Sequence, residues 1–484
     1  MAFLHGVDTQ EIKIGTETIT EVKSAVIGLV GTAPKGPINK PTLVYSASDA
    51  AQFGTFAEHG LTSGYSIPAA IDAIHAHGAG TIVVVNVFIP SENTETEKTI
   101  TDEVLTFAED NKATVIHPEK VSNLVLTSAD GATIYELNTD YTFDAETGAV
   151  AKVAEGALAE VDSVKASYKY VETIKTDNNV KDIAAADIIG STSEQGERTG
   201  LQALEDVFSL YGFNPKILIC PGWSEQNGVR EAMLTIAEKL RAICLIDAPV
   251  GVSVTDCITA RGAEGTFDWQ TTSERAYLLY PHVKRYDQET DADQLCPYSS
   301  VMAGLIAQTD RDDGYWFSPS NRSISGITGV ERKLTSRYSD PNCEVNRLNE
   351  KGITSILNDY GTGYKSYGNR LANFPGISGI TTFITCRRVA DMIEDTLEQN
   401  MAQFIDRPLN SAIISDIISL GSSYLRKLEA RGAIIGGTCY ASSEDNTADS
   451  LADGRLVVYY EFTPPAALER ITNKVVLTNK YYGS

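Results

Sequence analysis

The feature that most constrains this fold is an early alternation of short apolar runs with a segment of helical periodicity. Residues 24–30 (SAVIGLV) and 81–88 (TIVVVNVF) are continuous apolar runs, which predict buried strands. Residues 66–78 between them place apolar side chains on one helical face, with Ser66 as the expected N-cap and Pro68 in the first turn. A helix between two buried strands predicts an α/β layer.

The same alternation returns from residue 188 onward. Helical periodicity covers 201–211 and 227–241, and apolar runs cover 216–220, 242–247 and 275–280. Because helices connect successive strands, we expect a mostly parallel sheet. The chain has 484 residues, which is too long for one ordinary core, so we expect several domains.

Between the two α/β stretches, residues 91–190 have a different composition. They carry 20 acidic residues and 8 lysines, but no arginine and no cysteine. Short alternating segments separated by turn residues predict strands at 123–127, 133–137, 141–144 and 163–171. We therefore predict a small all-β domain, inserted into the α/β domain, that is solvated and faces outward.

The C-terminal third contains two helices with clear apolar faces, at 388–407 and 413–428, and a strand at 455–462. The segments 7–15 and 470–478 favour extended backbone. The predicted fold class is a multidomain α/β and α+β chain with a mostly parallel or mixed sheet core and helices, an inserted all-β domain, and extended N- and C-terminal arms. The predicted division is an N-terminal arm at 1–22, an α/β domain at 23–90 and 191–335, the inserted domain at 91–190, and a C-terminal α+β domain at 336–484 that ends in an arm at 469–484.

Charge and hydropathy exclude several classes of function. The net charge is −24, which disfavours binding to nucleic acid or to an anionic membrane. No apolar run approaches the roughly 20 residues that a membrane-spanning helix needs. The first residues lack a basic region followed by an apolar stretch, so no signal peptide is expected.

Motifs that carry chemistry are incomplete. Residues 31–36 have the G-x-x-x-x-G spacing of a phosphate loop, but Pro37 and Ile38 stand where lysine and a hydroxyl residue are required. The seven cysteines include no C-x-x-C pair, and Cys220 at the end of a strand fits packing better than catalysis. We therefore predict no catalytic residue, no cofactor site and no metal site.

Five segments in the C-terminal half occur in an order typical of one family. They are 318–321 (SPSN), 324–329 (ISGITG), 348–353 (LNEKGI), 361–370 (GTGYKSYGNR) and 462–470 (FTPPAALER). With residues 5–7, 24–34 and 199–247, they resemble the sheath protein of contractile phage tails. The family usually has tryptophan and threonine where this chain has Tyr367 and Leu371. The resemblance covers nearly the whole chain except 91–190, which looks like the variable domain that some sheath proteins carry.

The resemblance implies a structural subunit with no enzymatic activity. Such subunits form hexameric rings, stacked as a helix around a tail tube, and contract from a metastable extended state to drive the tube through the target envelope. The implied partners are other copies of the chain, the tail tube protein, the baseplate and the tail terminator, with no nucleic acid and no direct membrane insertion. The implied location is the virion tail sheath, after synthesis and assembly in the host bacterial cytoplasm.

Two alternatives stay open. One is a sheath from a headless, phage-derived particle, such as a bacteriocin or an injection system. The other is a cytosolic α/β enzyme similar to a hydrolase, which would need a clustered polar site and would leave the two strand-like arms without a role.

The candidate residues of the arms follow from the resemblance, because sheath arms add strands to neighbouring subunits. Extended ends also have unpaired backbone groups, which a neighbour's sheet edge would satisfy. The candidates for strand exchange are Val7, Gln10, Ile12, Ile14, Ile471, Lys474, Val475, Val476 and Leu477.

A basic cluster formed by Arg426, Lys427 and Arg431 ends the second C-terminal helix. Cations at this position stabilise the negative end of a helix. They could also bind an acidic partner, and the resemblance makes the tail tube the candidate. Both interpretations stay open from the sequence.

Overall fold

The structure, a computed structural model, describes residues 19–78, 80–359 and 361–482. In these residues the strands are β1 (Val26–Gly31), β2 (Thr42–Val44), β3 (Thr81–Asn86), β4 (Ser91–Thr106), β5 (Lys112–Thr114), β6 (Ser122–Thr127), β7 (Ile134–Tyr135), β8 (Tyr141–Asp144), β9 (Ala149–Lys152), β10 (Ser163–Asp177), β11 (Ile217–Ile219), β12 (Ile243–Asp247), β13 (Ala276–Leu279), β14 (Val283–Asp287), β15 (Ala292–Cys296), β16 (Arg322–Ser323), β17 (Gly329–Val330), β18 (Ile353–Asp359), β19 (Gly363–Tyr367), β20 (Gly436–Tyr440) and β21 (Tyr459–Thr463). The α-helices are α1 (Ala47–Ala50), α2 (Ile67–His75), α3 (Ala185–Ile189), α4 (Val207–Tyr211), α5 (Asn227–Leu240), α6 (Val254–Thr259), α7 (Tyr298–Asp312), α8 (Glu344–Asn349), α9 (Ile384–Met401), α10 (Ser411–Arg431) and α11 (Ala448–Ala452).

The chain divides into two compact units. One unit, called the body below, contains the described residues up to Phe88 and those from Ile183 onward. The other unit, called the insertion, spans Ile89–Asp182.

A nine-stranded sheet forms the centre of the body. Its order is β16-β19-β18-β13-β12-β11-β1-β3-β2. The strands from β18 to β3 are parallel, and antiparallel strands close both edges. The predicted mostly parallel sheet is confirmed, and the antiparallel edges make it mixed.

Helices cover both faces of this sheet, because its strands are apolar on both sides. Val26 and Val30 of β1 belong to one buried core, which also contains the apolar face of α5. Ile27 and Leu29 belong to the other core, with α2 and α7. The helix α7 was not predicted because most of its side chains are buried, so it lacks a polar face to mark its period.

The start of α2 differs from the prediction in one detail. Ser66 stands at the N-cap and Pro68 lies in the first turn, but the Ser66 side chain makes no capping hydrogen bond. Its Oγ instead accepts a hydrogen bond from the Thr32 backbone N–H at 3.1 Å. The serine therefore joins the helix to the segment after β1, a contact that local spacing cannot predict.

The insertion is an all-β unit with the four-stranded sheet β4-β10-β6-β7 and the three-stranded sheet β5-β9-β8. The long strand β4 was missed because its Thr-, Glu- and Lys-rich sequence has few apolar positions. It pairs antiparallel with β10, from Ser91 opposite Asp177 to Thr106 opposite Ser163. Exposed ion pairs connect the two strands, such as Lys169 with Glu97 at 2.7 Å.

In the C-terminal part, α10 packs against the two-stranded sheet β20–β21. A Cβ atom added at Gly421 would lie 2.6 Å from the Sγ atom of Cys439 in β20. Gly421 is therefore the residue that lets β20 approach α10.

Buried ion pairs fix α9 to the rest of the body. Arg388 of α9 holds Asp310 of α7 with two hydrogen bonds of 2.8 and 2.5 Å, and both side chains are almost completely buried. Arg275 binds Asp391 of α9 at 2.5 Å, and Lys216 forms a buried pair with Asp395. Lys216 and Arg275 directly precede β11 and β13, so α9 crosses the amino ends of these strands.

Candidate assembly surfaces

The C-terminal segment that follows β21 has no regular secondary structure, and it is exposed from residue 468 onward within the described part of the chain. In the described residues, no strand pairs with 470–478. Val475, Val476 and Leu477 are 82%, 81% and 96% exposed. A row of large apolar side chains in water is unfavourable, which marks this segment as an interaction surface.

The predicted strand-exchange residues fall into two groups. Ile471, Lys474, Val475, Val476 and Leu477 all lie on the exposed C-terminal segment. Val7, Gln10, Ile12 and Ile14 lie outside the described residues.

The sheet β20–β21 has an unpaired edge on each side within the described part of the chain. One of its faces turns Cys439 and Phe462 toward the core beneath α10. On the other face, Tyr440 and Tyr459 stack with ring centres 5.4 Å apart and stay partly exposed. Two open edges on a small, well-supported sheet are acceptors for added strands.

The basic cluster on α10 is partly neutralised by the N-terminal segment. Arg431 donates to both carboxylate oxygens of Glu21, at 2.7 and 2.8 Å, and Lys427 lies 3.1 Å from the same group. Burial alone would raise the pKa of Glu21, but the hydrogen bonds from Arg431 and Lys427 hold that pKa below its usual value. Arg426 is exposed and forms no ion pair with any other described residue.

A second ion pair holds the beginning of the C-terminal segment. Arg370, after β19, binds Glu469 through two hydrogen bonds of 2.8 and 2.5 Å. Sequence analysis missed both Glu21 and Glu469, because their partners are 410 and 99 residues away and no local spacing connects them. The only local signal was position, since each glutamate lies at the inner end of a predicted arm.

Sequence comparison then decides the family. Residues 196–370 match the phage tail sheath protein central domain, and 381–478 match the phage tail sheath C-terminal domain. The tail sheath protein of Burkholderia phage BcepMu is 40% identical over 481 residues, which cover 99% of this chain and 98% of that protein. The chain belongs to the phage tail sheath protein family.

A more distant relative and a second family model each match part of the chain. The tail sheath protein of Escherichia phage P2 is 28% identical over 297 residues, which cover 61% of this sheath chain and 72% of the relative. Residues 84–180, which include most of the insertion, match a separate family described as a protein of unknown function.

Solved structures share the fold of this sheath chain. The helical sheath of the anti-feeding prophage in its contracted state aligns with a TM-score of 0.58 at 15% identity, over 99% of this chain and 100% of that one. The contracted sheath complex of the extracellular contractile injection system PVC gives 0.58 at 14% identity, over 99% of each chain.

The family places this chain among structural proteins of the phage tail sheath rather than among enzymes. In the described residues, no three His, Cys, Asp or Glu side chains come together as a metal site. Nor does any helix there combine the length and hydropathy that crossing a bilayer requires. Cys220 is wholly buried, and burial raises the pKa of its thiol far above the usual value, so its environment is that of a packing residue.

Proposed function

We propose that this sheath chain polymerises as hexameric rings, stacked in a helix around a tail tube. We further propose that the helix contracts from a metastable extended state and drives the tube through the target cell envelope. The observation that carries the proposal is the exposed segment at 470–478 with its four large apolar side chains, in the same chain as two open sheet edges. The family supplies the context of a tail sheath.

Strand exchange between copies of the chain is the contact that we propose holds neighbouring subunits of the sheath together. Placed in a strand, Ile471, Asn473, Val475 and Leu477 would face one side, and Thr472, Lys474, Val476 and Thr478 the other. The first side would bury apolar surface when it pairs with β20 or β21 of a neighbour. About five backbone hydrogen bonds at roughly 0.5–1.5 kcal/mol each would give one arm a few kcal/mol.

The proposed partners are other copies of the chain, the tail tube protein, the baseplate and the tail terminator. The related chains solved by cryo-electron microscopy come from a helical sheath, a sheath complex and a baseplate. We place assembly in the host cytoplasm and the final location in the virion tail. The alternative is a sheath of a headless injection particle, which the neighbours from such particles favour. A capsid gene beside the sheath gene would decide for a phage.

The test of strand exchange is negative-stain electron microscopy of the purified chain at rising concentration. We expect hollow tubes from the full chain and none from a variant that lacks 470–482. This variant should stay a folded monomer with an unchanged melting temperature, because the deleted residues are exposed. A control replaces Val475, Val476 and Leu477 by serine and should weaken the tubes without abolishing them, since the backbone bonds remain. Normal tubes from the deletion would contradict the proposal.

Tube contact by Arg426, Lys427 and Arg431 stays a proposal. Because Lys427 and Arg431 hold Glu21, reversing their charge would also disturb the N-terminal segment. Arg426→Glu tests tube contact without this complication. We expect it to weaken sheath assembly on isolated tail tubes while leaving tube-free polymers intact. Unchanged assembly on tail tubes would remove Arg426 from the contact.

The insertion is proposed to face outward as a decoration of the sheath. Ser91 and Asp177 are paired across neighbouring strands, so a short linker can replace the residues between them. We expect the shortened chain to fold, polymerise and contract. Failure to fold or contract would contradict a decorative role.

A further inference from the structure

The inner ends of the two arms, around Glu21 and around Glu469, are called the arm roots below. Both are held by the same combination of groups. At the N-terminal root, the carboxylate of Glu21 binds Arg431, whose guanidinium lies over the Trp316 ring, 5.0 Å from its centre. At the C-terminal root, the carboxylate of Glu469 binds Arg370, which lies 3.7 Å from the centre of the Phe383 ring. Each root therefore pairs an acidic residue of the arm with an arginine of the body that is stacked on an aromatic ring.

Both arginines line one cavity of about 770 Å³ in the body, together with Trp316, Phe374 and Glu469. The Cys386 thiol, at the start of α9, also donates to the Pro465 carbonyl at 3.6 Å, so the chain after β21 is held at Pro465 as well as at Glu469. Beyond Glu469, every described residue is exposed. Glu469 is therefore the last described residue before the continuously exposed segment 470–482 whose side chain is held by the body.

We infer that Glu21 and Glu469 are positioning residues that fix the points where the two arms leave the body, so that the arms reach a neighbour's sheet from set origins. This inference rests on the proposed strand exchange. Arg370 binds both carboxylate oxygens of Glu469 through two of its nitrogens, and Arg431 binds both oxygens of Glu21 through one. Each guanidinium also lies over an aromatic ring, which further restricts its rotation. Fixing the roots lowers the ordering cost of strand addition and raises the effective concentration of the arm at the acceptor edge.

A purely structural ion pair would have a different signature. It would stabilise the folded monomer, and its loss would leave the critical concentration for polymerisation unchanged. Loss of a positioning residue raises the critical concentration for polymerisation while the melting temperature of the fold changes little. The two roles are therefore separated by measuring the critical concentration and the melting temperature on the same variants.

The experiment uses the full chain with Glu21→Gln, Glu469→Gln and both together. Glutamine keeps the size of the side chain and removes the charge, and neither glutamate belongs to the buried core. The matched control is Asp453→Asn, which removes the same charge from an exposed pair with Arg455 in the connection between β20 and β21. The critical concentration for tube formation is measured by sedimentation, and the melting temperature of the monomer is measured on the same variants.

We expect each single variant to raise the critical concentration roughly three- to tenfold, and the double variant to combine both effects. Asp453→Asn should match the parent in critical concentration and in melting temperature. A double variant with the parent's critical concentration overturns the inference, provided that deletion of 470–482 abolishes tubes. If that deletion leaves tubes intact, strand exchange itself is wrong and the inference is overturned with it.

Discussion

In the body and in the insertion, ion pairs between a basic side chain and a carboxylate lie in opposite surroundings. Arg388 and Asp310, in the body, are 5% and 2% exposed. Lys169 and Glu97, on the β4–β10 pair of the insertion, are 40% and 57% exposed. The buried pair must satisfy two desolvated charges, so loss of one partner is costly, whereas the exposed pair exchanges its partner for water. The comparison teaches that burial, rather than distance, determines what each pair contributes.

The largest expected effect comes from breaking the buried pair. Arg388→Met leaves the Asp310 carboxylate buried without its arginine and also removes a hydrogen bond to the Ser24 carbonyl. We expect a loss of about 3–5 kcal/mol in the free energy of unfolding. Urea unfolding of the monomer, followed by circular dichroism, measures this loss.

The control is the double variant Arg388→Met with Asp310→Leu, which removes both charges. It should recover much of the lost stability, because no unpaired charge remains in the interior. Equal losses in the single and double variants would show that packing, rather than the unpaired carboxylate, explains the effect.

A second test concerns close packing in the body. Gly421→Ala should destabilise the chain by about 1–3 kcal/mol, because the new methyl group collides with Cys439. Helix propensity alone would give a gain of about 1 kcal/mol. A lower melting temperature would show that the collision outweighs helix propensity, and a higher one would show the reverse. As a control, Gly421→Ala combined with Cys439→Ala should relieve the collision.

The Glu21 root pair is intermediate in exposure, and it predicts a pH effect. The folded-state pKa of Glu21 is lowered from its ordinary value of 4.5. The pair therefore contributes stability above pH 4.5, and this contribution is lost as pH falls through the lowered folded-state pKa. We expect Glu21→Gln to cost less than about 1 kcal/mol at pH 7. The difference from the parent should shrink below pH 4.5, and a constant difference between pH 7 and 3 would contradict the assignment.

The smallest effect is expected in the insertion. Lys169→Gln should change the free energy of unfolding by less than about 1 kcal/mol, because water solvates both partners once they separate. Added salt should reduce the difference further, since exposed charges are screened. A loss of stability as large as that of Arg388→Met would contradict the conclusion that burial determines what each ion pair contributes.

The sequence determined the elements whose signals are local. Apolar runs gave β1, β3, β12 and β13, helical periodicity gave α2 and α5, and ordered segments in the C-terminal half indicated the family. These signals depend on neighbours within one helical turn or along one strand, so they survive without tertiary information.

The strand β4 and the long-range ion pairs were decided only by the tertiary structure. The strand β4 is polar along most of its length, and it becomes a strand because β10 pairs with it. The pairing of Arg431 with Glu21 and of Arg388 with Asp310 joins residues 410 and 78 positions apart, where no periodicity operates. Charges far apart in the chain meet because apolar packing brings their elements together, and this packing is a property of the folded chain as a whole.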